Sequence, residues 1–285
     1  MNKADRKPVW CRTAMTVLIA GALASGCAGI KENTAPNPAL GLFPGLVEGY
    51  LAVKDIPDSL ALLPPPPAKG SAALALDTEI SQRSFSLRDT PRWTQAISDA
   101  DLRFPHAAST FSCALNAPVS EAETPRLYSL LHRTLTDAGG STGNAKHYYN
   151  RTRPFVINGQ PLCTPDDRVS LEHDGSYPSG HTTVGWSWAL ILAEVSPAQG
   201  GAILARGLAF GESRNVCNAH WHSDVVQARS MAAGSVARLH ANHAFLADLN
   251  AAKAELTSAR ERGLKPSRDC SAEAAALALQ PSLAQ

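Results

Sequence analysis

HTTVGWSWALILAEV, running from His181 to Val195, is the stretch on which the fold turns. Its apolar side chains fall on almost every side of a helix, which leaves no face suited to water. A helix of that kind belongs in a core or in a bilayer. At about 15 residues it falls short of the about 20 needed to cross a membrane. The stretch therefore predicts a buried core helix.

Its neighbours also read as helices. Downstream these are Ala202 to Phe210, Asp224 to His243 and Phe245 to Glu261. Upstream, Thr124-Pro125 has the form of an N-cap followed by proline at the first helical position. Leu127, Leu130, Leu131 and Leu135 then share one face, and Gly139-Gly140 closes the segment. No sustained period-two alternation marks a strand. Abundant alanine favours helix as well, so the fold class is all-α.

A chain of 285 residues has room for one large domain or two small ones. Charge is nearly balanced, 26 Lys+Arg against 25 Asp+Glu, which gives no support to a nucleic-acid partner. The first residues form a targeting segment: Lys3, Arg6, Lys7 and Arg12 precede the short apolar run TAMTVLIAGALA. That run ends in LASGC. Two readings of it stay open, lipidation of Cys27 as in bacterial lipoproteins, or cleavage after Ala24. The expected organisation is a signal over 1–27, a tether and lead-in over 28–60, a helical domain over 61–262 and a loosely packed tail over 263–285. The proline run 64–67 reads first as a stiff spacer, with a wall near a site as the alternative. With Cys11 removed and Cys27 lipidated, Cys113, Cys163, Cys217 and Cys270 remain, an even number with three connectivities.

Three segments carry chemistry: KHYYNRTRP (Lys146 to Pro154), YPSGHT (Tyr177 to Thr182) and SRNVCNAHWHSD (Ser213 to Asp224). Lys146 and Arg153 lie two helical turns apart and can share a face. Pro154 pushes Arg153 out of the α region, so a helix should end there and present the guanidinium. That planar fork grips two phosphate oxygens, whereas an ammonium acts as a point charge. Arg151 reads as a solvated surface residue. Ser179 and Gly180 open the core helix, where orphan N–H groups and a partial positive charge suit an anion. His181 stands at that mouth. His220 and Asp224 are one turn apart, so the carboxylate can hold one imidazole nitrogen and leave the other as a nucleophile. Arg214 can return to the same anion. A metal site at His220, His222 and Asp224 is disfavoured, because i and i+2 point apart on a helix and three cations stand nearby. No cofactor and no metal are expected.

The three segments resemble the tripartite signature of the type 2 phosphatidic acid phosphatase superfamily: Lys-x6-Arg-Pro, Pro-Ser-Gly-His and Ser-Arg-x5-His-x3-Asp. Within it the chain most closely resembles the class A bacterial non-specific acid phosphatases. The likeness runs from LLPPPP at Leu62 to Ala252 and includes DAGGSTGNAKHYYNRTRPF, GSYPSGHTTVGW and GESRNVCNAHWHSDV. It implies a single compact helical domain related to the vanadium haloperoxidases. It implies phosphate binding by Lys146, Arg153, Arg214, Ser179 and the Gly180 N–H. It gives His220 as the nucleophile that forms a phosphohistidine, Asp224 as its orienting partner and His181 as general acid and then base. It suggests a disulfide between Cys163 and Cys217 and leaves the pairing of Cys113 and Cys270 open. Asn218 departs from the family, which usually has Gly there, and puts the loop conformation in question.

The resemblance further implies a periplasmic enzyme acting on small phosphomonoesters, with broad range and a phosphotransfer side activity. A lipid on Cys27 would tether it to the outer membrane. A homodimer is one arrangement the chain allows. Rival readings are a vanadate haloperoxidase, a lipid or pyrophosphate phosphatase, and a non-catalytic phosphate-binding scaffold.

Overall fold

Helices joined by short 3-10 turns build the described residues, 46–279, of this computed structural model. The expectations placed on residues 1–45, Cys27 among them, lie outside that range, as do residues 280–285. The helices are α1 (Ser59–Leu62), α2 (Ala72–Ser84), α3 (Pro91–Ala100), α4 (Ser112–Leu115), α5 (Pro125–Gly140), α6 (Gly143–Tyr149) and α7 (Pro154–Asn158). They continue with α8 (Arg168–Glu172), α9 (Gly180–Val195), α10 (Gly200–Val216), α11 (His222–Leu239), α12 (His243–Glu261) and α13 (Cys270–Ala278). No strand occurs among the described residues, in accord with the all-α expectation. None of these helices is long and apolar enough to cross a membrane.

Helix α9 holds the all-round apolar stretch His181–Val195, and it packs against α5, α10, α11 and α12. Val184, Trp188, Ala189, Ile191 and Leu192 are all buried. Trp188 satisfies its indole N–H on the Leu131 carbonyl at 3.0 Å, which ties α9 to α5. Gly185 lets α10 come close, since a Cβ there would sit 2.1 Å from the Phe210 ring. In α5, Leu127, Leu130 and Leu131 face the same core. Thr124 sits at the N-cap without using its side chain. The Glu255 carboxylate of α12 instead accepts from the N–H groups of Arg126 and Leu127, at 3.1 and 2.9 Å. A carboxylate at a helix start meets both the orphan donors and the dipole.

Boundaries differ from expectation in two places that bear on the site. Helix α10 runs on to Val216 rather than ending at Phe210. Its polar last turn is accommodated because Ser213 donates to the buried Asp99 of α3 at 2.5 Å, and Asp99 also pairs with Arg206. The helix expected over 224–243 starts at His222 and stops at Leu239, where Asn242 caps α12 by accepting from Phe245 N at 3.0 Å.

The lead-in and the tail are both anchored. Tyr50 and Leu51 belong to the main core and donate their backbone N–H groups to the Asp137 carboxylate at 2.8 and 2.9 Å. Residues 270–278 form α13, which packs on α3 and is bridged to α4 by Cys113–Cys270. The proline run is held too: the Pro64 carbonyl accepts from the Tyr177 hydroxyl at 2.6 Å.

Candidate active site

The third sequence segment makes the sharpest turn. Helix α10 ends at Val216, and the N–H groups of Ala219 and His220 fold back onto the Arg214 carbonyl at 3.1 and 3.2 Å. The reversal passes through Asn218, whose φ of 60° is the left-handed conformation that glycine favours and asparagine tolerates. Asn218 thus takes up the backbone a glycine would, and its side chain exchanges hydrogen bonds with Asn158. The Cys163–Cys217 disulfide and the bond from Cys163 N to Cys217 O at 3.1 Å pin the turn to the loop after α7. Arg214 and His220 are both buried as a result.

His220 lies before α11 rather than on it, so the one-turn spacing to Asp224 arises differently from expectation. Its Nδ1 donates to the Ser176 carbonyl at 2.8 Å, while Asp224 Oδ2 stands 3.5 Å away. A carbonyl only accepts, so Nδ1 carries the hydrogen and Nε2 keeps its lone pair. Asp224 is the third residue of α11 and accepts from Trp221 N at 2.8 Å and from the Ser176 hydroxyl. It therefore acts on His220 through Ser176 as well as by its charge.

The second segment enters through a cis Tyr177-Pro178 peptide. Ser179 caps α9 by accepting from Thr182 N at 3.2 Å, and its own N–H donates to the Asp224 carbonyl at 3.1 Å. This joins the α9 N-terminus to the His220 assembly. At Gly180 a Cβ would meet Lys146 Cε and Thr142 Oγ1 at 3.8 Å each, so the helix start faces the lysine stem. His181 Nε2 donates to the Ala100 carbonyl at the end of α3, at 2.9 Å, which leaves the lone pair on Nδ1.

The first segment departs from the single helix expected through Lys146 and Arg153. Helix α6 stops at Tyr149 because Asn150 takes a left-handed φ of 38°. Arg153 has extended backbone, as Pro154 requires, and is the N-cap of α7. The two cations still converge. Lys146 Nζ donates to Asp174 Oδ2 at 2.7 Å and to the Gly175 carbonyl at 2.5 Å. Arg153 donates from Nε to the Asp174 carbonyl at 3.0 Å, from Nη2 to Asp174 Oδ2 at 2.7 Å, and from Nη1 to Ala219 O at 3.0 Å and His220 Nε2 at 2.9 Å. Glycine at 175 permits this approach, since a Cβ there would lie 2.3 Å from the Lys146 carbonyl.

Arg151 corrects the sequence reading. It is not a solvated surface residue but bridges two buried carboxylates, Asp224 Oδ1 at 2.6 Å and Asp77 Oδ2 at 2.7 Å. Asp77 in turn accepts from the N–H and hydroxyl of Ser223, both at 2.7 Å. The neighbouring Thr152–Arg153 turn is held by Trp221 Nε1 on the Thr152 carbonyl at 2.8 Å.

The electrostatics follow from placing two buried cations, Arg153 and Arg214, beside the largely enclosed Lys146. Arg214 is 1 % exposed, and its Nε and Nη1 have no hydrogen-bond partner among the described residues. Burial, and secondarily Arg153, pushes it down to about 10. Lys146 is pushed down to about 8 by burial and then by Arg153, against the pull of Asp174. Burial holds the His220 imidazole well below its usual range, reinforced by Arg153, Lys146 and Arg214. His181 is lowered in the same way by burial and then chiefly by Arg214. Asp224 is raised to about 6 by burial, opposed by Arg151 and its hydrogen-bond donors. Burial beside these cations thus favours the neutral form of both imidazoles, and an anion would satisfy the orphaned donors of the buried guanidinium.

Residues 127–246, from α5 to the start of α12, match the model of the PAP2 superfamily. The chain is 44 % identical over 209 residues to an acid phosphatase of Zymomonas mobilis subsp. mobilis, covering 73 % of this chain and 79 % of the relative. It is 43 % identical over 213 residues to a non-specific acid phosphatase of Providencia stuartii, 74 % of this chain and 86 % of that one. A non-specific acid phosphatase of Salmonella typhimurium is 38 % identical over 211 residues, 74 % of this chain and 84 % of the relative.

This chain belongs to the class A bacterial non-specific acid phosphatases. Membership makes it a phosphatase, and the residues brought together above are those its three segments supplied. Contacts join Lys146, Arg153, Ser179, Gly180, His220 and Asp224, and Arg214 and His181 lie close enough to interact with them electrostatically. Ser176, Arg151, Asp77, Asp174 and the Ala100 carbonyl are additions. Asp77 and Ala100 lie far from the three segments in sequence, and no spacing marks them.

Proposed function

We propose that this acid phosphatase hydrolyses phosphate monoesters without a metal ion, through a phosphohistidine on His220 Nε2. The observation that carries the reading is Arg214, a buried guanidinium with unpartnered donors, close enough to lower both His181 and His220. Phosphoryl transfer is mostly positioning and charge stabilisation. Lys146, Arg153, Arg214 and the α9 N–H groups supply both in a water-poor site.

The first step uses the lone pair of Nε2. It attacks phosphorus, the bond from phosphorus to the ester oxygen breaks, and the departing oxygen takes a proton from His181 Nδ1. In the second step His181, now neutral, removes a proton from water. The resulting hydroxide attacks phosphorus, and the N–P electron pair returns to Nε2. An alcohol in place of water would give phosphotransfer. The dianionic substrate offsets the cations, which favours the protonated His181 the first step requires.

Two disulfides suit an oxidising compartment, and with the expected signal segment they support a periplasmic location. A phosphate-release screen over nucleotides, sugar phosphates, aryl phosphates and pyrophosphates tests the activity and its range. Release from several monoesters that survives EDTA supports the reading. Activity lost on chelation and restored by a divalent ion would refute the metal-free route.

A further inference from the structure

The carboxylate of Asp174 stands where the phosphate reading puts a substrate oxygen. Its Oδ2 lies 2.7 Å from Lys146 Nζ and 2.7 Å from Arg153 Nη2. Neither cation depends on that carboxylate for its place. Lys146 is also held by the Gly175 carbonyl, and Arg153 by the carbonyls of Asp174 and Ala219. The side chain of Asp174 is 49 % exposed, whereas that of Arg153 is 2 % exposed. A half-exposed carboxylate therefore bridges two enclosed cations that the backbone has already positioned, and it is free to swing into water.

We propose that Asp174 is an internal competitor of phosphate, which sets the affinity for substrate and product by exchanging places with a phosphate oxygen. The inference rests on Lys146 and Arg153 being phosphate ligands. Physical grounds favour such a competitor. Two buried guanidiniums, a largely enclosed ammonium and a helix N-terminus would hold inorganic phosphate tightly and slow its release. A tethered carboxylate re-covers two of those cations as product leaves, at the high effective concentration that tethering gives. Substrate still enters, because a phosphate dianion also reaches the unpartnered Nε and Nη1 of Arg214, and among the described residues the Asp174 carboxylate accepts from Lys146 and Arg153 alone.

The test compares wild type with Asp174→Asn and Asp174→Ala, both of which keep the backbone carbonyls that hold the cations. Inhibition by inorganic phosphate is measured with an aryl phosphate substrate, alongside thermal melts. The expected result is a phosphate Ki about tenfold lower in both variants, with KM falling in parallel and kcat not rising. A Ki unchanged or raised in a folded variant overturns the proposal. A crystal structure of the wild type with phosphate gives a second reading: Oδ2 is expected to have left both nitrogens, and a bridge that persists beside bound phosphate overturns it. A wild type that neither binds phosphate nor hydrolyses the ester would instead sink the phosphatase reading, and this inference with it.

Discussion

Arg153 donates from Nη1 to Nε2 of His220 across 2.9 Å, so the fork proposed to grip phosphate also touches the nitrogen proposed to attack it. The other His220 nitrogen is committed to the Ser176 carbonyl at 2.8 Å. One guanidinium thus fixes the His220 Nε2 lone pair while its remaining donors hold Ala219 and Asp174. A lysine offers no such planar fork. Arg153→Lys is expected to lower kcat/KM by about 100-fold or more, as loss of a transition-state donor does. Steady-state kinetics on an aryl phosphate checks it, and a loss below threefold would contradict it.

Arg214 separates activity from stability. Its Nε and Nη1 are buried without partners among the described residues, which costs folding free energy that a bound anion would offset. Arg214→Met is expected to cost about 2.7–4 kcal/mol of transition-state stabilisation, roughly 100–1,000-fold in rate. Its thermal midpoint is expected to stay level or rise. A midpoint lowered by about 4 °C or more, which is about 1 kcal/mol or more in a domain of this size, would contradict the account.

Arg151 should behave in the opposite way. Removing it strands Asp77 and Asp224, both buried, each without its cation. Breaking such a buried pair typically costs about 3–5 kcal/mol. Arg151→Met is therefore expected to lose stability of that order in denaturant melts, with a reduced kcat because Asp224 orders Ser176. A variant as stable as wild type would show that the bridge is not structural.

The pH dependence follows from the same charges. Burial and the three cations lower both imidazoles, so they stay neutral below the ordinary histidine range. A bound phosphate dianion offsets the cations, and both values are expected to rise. The acid limb of kcat/KM, which reports free His220, should therefore fall below about pH 6.5, and the kcat profile should be displaced to higher pH. Imidazole proton shifts titrated with and without phosphate check this. Values unmoved by phosphate would contradict it.

What the sequence made legible was whatever is local. HTTVGWSWALILAEV is apolar on all sides, and α9 is the core helix. Pro154 forces extended backbone on Arg153, and the structure has it. The parts that escaped depend on partners distant in the chain. Arg151 looks like a surface cation until Asp77, 74 residues away, is folded beside it. The polar end of α10 looks like a terminus until Asp99, 114 residues from Ser213, accepts its hydroxyl. Lys146 and Arg153 reach one site from different elements because Asn150 breaks the helix between them. The Ala100 carbonyl that fixes His181 has no side-chain signature at all.

The most direct test of the account is to quench the enzyme during turnover of a 32P-labelled monoester and look for acid-labile phosphate on the protein. Label is expected on His220 in the wild type, and neither label nor turnover in a folded His220→Ala variant. Turnover by that variant at a wild-type rate, or label on any other residue, would contradict it.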